Sequence, residues 1–128
     1  MTPDDRKYSR EHEWILLEAG AGVATIGITQ FATESLGDVV FVDLPDVGSE
    51  LTQFGKFGEI ESVKAVSDLF SPVSGTIAER NDAVIDNPEI VNAGPYEGGW
   101  LLKVNLADAS ELDGLISASE YDSLTAEA

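Results

Sequence analysis

The chain has no cysteine, one histidine and only four lysines (7, 56, 64 and 103) in 128 residues. Without cysteine there is no disulfide, no thiolate nucleophile and no thiolate metal site. The lone histidine, His12, leaves no His-rich metal centre and makes a Ser-His-Asp triad remote. It reads instead as a structural residue near the start of a strand. No Gly-rich phosphate loop and no Asp/Asn/Gly calcium loop is present. The expectation is therefore a non-catalytic protein without a metal. Basic charge is scarce as well: the formal net charge is −17, which argues against nucleic acid or an anionic membrane as partner. No apolar run approaches the roughly 20 residues that span a bilayer. The opening MTPDDRKYSREHEW has no apolar centre and mixes acids with its bases. It resembles neither a secretory signal nor an Arg-rich transit peptide. A cytoplasmic protein is expected, or one of the mitochondrial matrix if this is a mature organellar form.

What is present fits an ordinary globular chain. Hydrophobic residues make up 43% and charged residues 24%, enough for one core and too little length for two. One domain over residues 1–128 is expected, with its core at about 8–124 and flexible ends at 1–7 and 125–128. The 24 acidic residues suit a halophilic surface, screened by high intracellular salt. They suit equally an acidic protein kept soluble by self-repulsion.

Short apolar runs punctuated by glycine and proline predict a mainly β fold, a sandwich or barrel. Trp14–Leu17 and Val23–Ile28 read as a hairpin around Gly20-Ala21-Gly22. Thr29 is placed to cap a short helix, Gln30 to Leu36, stopped by Gly37. Val39–Leu44 is a strand ended by Pro45. Short strands follow from Leu51 to Ile77, then a longer irregular connection marked by Asn87-Pro88, Gly94-Pro95 and Gly98-Gly99. Trp100–Leu106 returns to strand. Ser110 with Asp113, and Ser117 with Glu120, resemble capping boxes and predict two short C-terminal helices.

Within GEIESVKAVSD (58–68), strands over Gly58–Val63 and Val66–Phe70 leave Lys64-Ala65 at the tip of a tight connection. Alternation sets Ile60 and Ser62 on one face, and Glu59, Glu61 and Val63 on the other. Spacing alone favours an ordinary surface lysine. A Schiff-base role is disfavoured, because an exposed tip does not desolvate the amine and nearby acids favour its charge. Acylation, which removes the charge and makes the residue a tether, remains open. Lys56, between Gly55 and Phe57, reads as a surface lysine in a turn, and Lys103 as one alternating outward on a strand. Trp14, Trp100 and Tyr96 read as core or loop anchors.

The blocks around this lysine carry a resemblance. ESVKAVSD (61–68) followed by SPVSG (71–75) is similar to the lipoyl-attachment segment of the glycine cleavage system H proteins. YSREHEW (8–14), GVATIGIT (22–29), LGDVVFVDLP (36–45) and NPEIVNAGPYEGGWLLKV (87–104) continue it in order, from about Tyr8 to Tyr121. The resemblance implies a lipoyl/biotinyl-type flattened β barrel or sandwich with an N-terminal extension and short C-terminal helices. It implies a carrier with (R)-lipoate bound covalently to Lys64 and no catalytic residues of its own. The implied partners are glycine decarboxylase (P protein), which loads an aminomethyl group, and aminomethyltransferase (T protein), which takes it. Dihydrolipoamide dehydrogenase (L protein) and a lipoate-attaching enzyme complete the set. Glu13 and Asp68 are then candidates to line an aminomethyl-lipoyl cleft, since carboxylates hold an ammonium by charge-assisted hydrogen bonds. Glu61 is a candidate for recognition by the attaching enzyme.

Three other carriers are near. A lipoyl domain of a 2-oxoacid dehydrogenase often has DKA around its lysine, where this chain reads VKA. A biotin carrier normally has flanking methionines, replaced here by Val63 and Ala65. A lipoyl or octanoyl relay role remains as an alternative or a second duty. The chain also departs from the resembled pattern at Arg10-Glu11, where a polar or small residue commonly precedes HEW, and this bears on the rim of any cleft.

Overall fold

The computed structural model describes residues 2–18 and 22–126. The expected Gly20-Ala21 part of the first hairpin turn lies outside the described residues, as do Met1 and residues 127–128. Two sheets form among the described residues. One has six strands in the order β1 (Lys7–Tyr8), β2 (Glu13–Leu17), β3 (Val23–Ile28), β9 (Leu102–Leu106), β8 (Gly75–Arg80) and β5 (Glu50–Leu51). The other is β4 (Val39–Asp43), β6 (Lys56–Ser62) and β7 (Val66–Phe70). Every paired neighbour is antiparallel. The pair makes a sandwich rather than a closed barrel.

Apolar side chains from both sheets meet between them. Ile15, Ile26, Ile28 and Ile77 from the large sheet face Val42, Ile60 and Leu69 from the small one, all buried. The other face of β2 is covered too. Trp14 packs with Tyr8, Ile116, Ala118 and Tyr121 in a second cluster that clamps both ends of the chain together. This double covering explains why the HEW block reads as nearly continuous burial instead of alternation. Trp14 lies flat across Gly27, where a Cβ would stand 2.5 Å from its ring.

Helix α1 (Gln30–Leu36) begins and ends where its capping residues predict. The Thr29 side chain accepts the Ala32 N–H, and Gly37 stops the helix at φ 81°, a left-handed conformation that favours glycine. The region expected to be irregular after Arg80 instead holds two five-residue helices, α2 (Asp82–Asp86) and α3 (Glu89–Ala93). Asn81 caps the first through the Ala83 N–H. Glycine and proline punctuation hid them because each helix is barely more than one turn.

At the C-terminus, Ser117 and Glu120 form the reciprocal capping box of α4 (Ala118–Ala126): Ser117 N–H donates to Glu120 Oε1 at 3.1 Å, and Glu120 N–H to Ser117 Oγ at 3.2 Å. The preceding turn is a 3-10 helix, Ala109–Gly114, and its cap is Asp108 rather than Ser110. Ordered elements also reach further than the expected core. Lys7 pairs with Ile15, Arg6 lies over the Trp14 ring at 4.7 Å, and Thr125 sits inside α4.

Candidate functional site

The β6–β7 connection is built by Ser62. Its hydroxyl accepts the N–H groups of Lys64 (3.3 Å) and Ala65 (3.1 Å), while its own N–H donates to Ala65 O at 2.8 Å. A serine at this place folds the chain back in three residues, which turns Lys64 out at the apex. The apex is held from one side as well. Val63 N–H donates to Asp38 O at 3.1 Å, at the junction of α1 and β4. That junction is fixed in turn by Asn92 of α3, which accepts the Val39 N–H (2.8 Å) and donates to Gly37 O (2.9 Å). Lys64 is exposed and lies beside Gly37, with its Cε 3.6 Å from where a Cβ there would be.

Beside the apex is a cleft of about 330 Å³ between α1, β7 and the Ser9–Glu13 turn. Its walls include Ile28, Phe31, Ala32, Leu36 and Leu69, and its polar groups come from Glu11, His12, Glu13 and Asp68. A larger cavity of about 490 Å³ lies past Glu11, against Phe54, Phe70 and Leu115. Of these two, the smaller one reaches the residues next to Lys64, through Ala65 and Val66.

Glu13 is the acid that the fold places deepest. Alternation along β2 puts it on the same face as Ile15, so its carboxyl points into the sandwich at the end where the sheets part. It is 1% exposed. Ser9 Oγ–H donates to Glu13 Oε1 at 2.6 Å, since Ser9 Oγ already accepts the N–H groups of Glu11 and Glu13. Phe70 N–H donates to Oε2 at 3.3 Å. These donors favour the carboxylate, but burial outweighs them and raises the pKa from 4.5 to about 8. At neutral pH the group is held mainly as the acid. A charged guest beside it reverses that balance: an ammonium in the cleft favours the carboxylate.

Asp68 is differently placed. Its register partner is Glu59 and that residue's is Asp43, so its side chain belongs to the outer face of the small sheet, at the edge of the cleft. Lys56 Nζ bridges it at 3.2 Å to Glu59 at 2.9 Å. The structure thus brings Glu13 and Asp68 to one cleft, with Glu13 in the wall and Asp68 on the rim. Lys56, expected in a turn, is the first residue of β6 and neutralises part of that rim. Glu61 stands in the middle strand of the outer face, between Phe41 and Val66. Lys103 is on β9 as expected, paired with Glu18 at 3.2 Å.

Sequence reasoning missed several supports. Tyr121 Oη is 2.7 Å from both His12 Nδ1 and Thr29 Oγ1, tying the C-terminal helix to the cap of α1 and to the turn that carries Glu13. His12 takes φ 73° there and is kept neutral by burial, which lowers its pKa. Nothing in the local pattern links positions 12, 29 and 121. Ser9 had a visible signal, being four residues before Glu13 on one turn.

Comparison with known proteins agrees with this geometry. A family model described as "Glycine cleavage H-protein" matches residues 6–128. A glycine cleavage system H protein of Micrococcus luteus is 53% identical, over 96% of each chain. One from Beutenbergia cavernae is 54% identical, over 96% of this chain and 95% of its own. A crystal structure of such a protein from Mycobacterium marinum superposes with a TM-score of 0.89 at 43% identity, over 97% of this chain and 98% of that one. With the family model spanning all the strands and helices described above, the chain belongs to the glycine cleavage H-protein family.

Proposed function

We propose that this protein is the lipoyl carrier of a glycine cleavage system, with lipoate joined to Lys64 as an amide. The observation that carries the reading is the placement of Lys64. It is an exposed apex lysine, fixed by Ser62 and Asp38, beside an apolar cleft with a buried acid inside. An apolar chain ending in sulfur fits walls of Ile28, Phe31, Leu36 and Leu69, and an amine fits next to Glu13. Lys64 would hold lipoate, whose disulfide/dithiol pair would supply thiol group-carrier chemistry and two-electron redox chemistry.

This chain's residues do the rest. Lys64 gives up its charge on acylation and presents the group on a rigid hairpin. The cleft walls keep water from the cargo, which would otherwise be lost by hydrolysis. Glu13, as the acid, gives its proton to an arriving amine and becomes the carboxylate that pairs with the ammonium, retaining the hydrogen bonds from Ser9 and Phe70. Asp68 adds a second carboxylate at the rim when Lys56 releases it. Bond making and breaking belong to the partners: glycine decarboxylase, aminomethyltransferase and dihydrolipoamide dehydrogenase. No helix among the described residues is long and apolar enough to cross a membrane, and a cytoplasmic setting suits these partners.

Intact mass after expression with lipoate tests the attachment. The unaltered chain gains a lipoyl-sized mass and Lys64→Arg does not; an addition that survives in Lys64→Arg overturns the assignment. Glycine–bicarbonate exchange with purified decarboxylase then separates this reading from a dehydrogenase lipoyl domain.

A further inference from the structure

Seven large apolar side chains are exposed among the described residues, and four of them, Val40, Phe41, Val63 and Val66, surround the Lys64 apex. Each is between 49% and 70% exposed. The register explains their grouping. Phe41 of β4, Glu61 of β6 and Val66 of β7 are cross-strand partners, so their side chains emerge side by side from the outer face. A bulge between Val39 and Phe41 interrupts alternation and leaves Val40 exposed beside Phe41. Val63 immediately precedes the lysine. The next row on the same face is acidic throughout: Asp43, Glu59 and Asp68. Val40, Phe41 and Val63 do not line the cleft, and no element among the described residues covers them. Folding alone does not account for a solvent-facing phenylalanine and three valines around one lysine.

We propose that this outer face of β4–β6–β7 is the docking surface for the enzyme that acylates Lys64, a partner presenting an apolar patch ringed by lysine and arginine. The proposal rests on the reading of Lys64 as the lipoyl attachment point. Its reason is distance. The attachment reaction takes place at Nζ itself. The Nζ ammonium loses one proton to a base of the partner, attacks the carbonyl carbon of a lipoyl group activated as a mixed anhydride with a phosphate ester, and loses a second proton as the amide forms. The C–N bond forms, the C–O bond to phosphorus breaks, and the phosphate ester leaves as an anion. An enzyme doing this must close over the hairpin and touch what borders the apex. Partners that act on the sulfur end work an arm's length away and need no contact with Val40 or Phe41, which lie outside the cleft. Charge adds direction. Glu59, Glu61, Asp43 and Asp68 form an acidic rim that complements a basic partner and speeds encounter.

The test is the initial rate of lipoyl mass gain at Lys64, with a purified lipoate-activating ligase, lipoate and ATP. Phe41→Ser combined with Val40→Ser, neither of which lines the cleft, lowers the ligase kcat/KM about tenfold or more, as loss of central apolar contacts does elsewhere. Val47→Ser, equally exposed but away from this face, leaves the rate unchanged. Glu61→Lys lowers the rate and flattens its salt dependence, an independent readout should the double variant unfold in melting. After prolonged incubation to full lipoylation, the double variant is reduced by dihydrolipoamide dehydrogenase at the unaltered rate. Lipoylation of both variants at the unaltered rate overturns the proposal. So does an equal loss in the reduction assay, which would assign the face to partners of the sulfur end. Failure of the unaltered chain to gain mass would instead refute the attachment reading itself.

Discussion

The buried carboxyl of Glu13 makes the stability of this protein fall as pH rises through neutrality. Its pKa moves from 4.5 to about 8 on folding, so the native state retains a proton that the unfolded chain has already lost. The contribution is fully present below pH 4.5, declines through the interval, and is gone once the pH passes about 8. A shift of that size amounts to about 5 kcal/mol, and water entering the open cleft reduces it. A loss of at least about 2 kcal/mol from this one group is expected.

Glu13→Gln removes the titration and keeps the shape. The amide oxygen keeps one of the two hydrogen bonds the carboxyl accepts, from Ser9 Oγ–H or from Phe70 N–H. His12 contributes with the opposite sign, because its lowered pKa makes stability rise with pH just below 6.5. His12 contributes equally to both proteins, so their difference from pH 6.5 to 9 isolates Glu13. Tyr121 is pushed up to about 12 and stays protonated throughout. Urea unfolding followed by tryptophan fluorescence, at constant ionic strength because of the −17 charge, measures the difference. The unaltered apo protein loses stability across the window and Glu13→Gln does not. Parallel slopes for the two proteins would falsify the placement of a protonated carboxyl in the cleft.

Two further outcomes follow from the same geometry. In the aminomethyl-loaded protein, Glu13→Gln speeds spontaneous loss of the amine about tenfold, the scale of one buried charge-assisted hydrogen bond. Asp68→Asn has the smaller effect, because Asp68 is exposed and already tied to Lys56; ammonia release over time measures both, and equal rates for all three proteins remove these acids from the site. Asn92→Ala costs about 1–3 kcal/mol in urea unfolding, since it strips partners from the Val39 N–H and Gly37 C=O at the foot of the hairpin. A change under about 0.5 kcal/mol would show that water replaces Asn92 there.

Much was legible where one short stretch of chain sets its own conformation. Thr29 and Gly37 mark the ends of α1, Ser117 and Glu120 the start of α4, and the Gly/Pro-punctuated apolar runs the strands. Lys64 at its turn belongs with these, because a hairpin needs only its own two strands and Ser62. The two helices between Asp82 and Ala93 were not legible, being too short to show a period among breakers. Asp108 took the cap expected of Ser110, a shift of two residues that composition alone does not resolve.

The acids show most plainly where local reading ends. Sequence by itself determined that this chain carries a lysine at a hairpin apex, in an order of blocks that matches one carrier family. It could name Glu13 and Asp68, but it could not tell them apart. Tertiary structure decided that Glu13 turns inward on β2 and meets Phe70 from the opposite sheet, while Asp68 turns outward to Lys56. A carboxyl's chemistry depends on how much water reaches it and which charges face it. Both are set by segments more than fifty residues away along the chain for Glu13, and by the sheet register for Asp68.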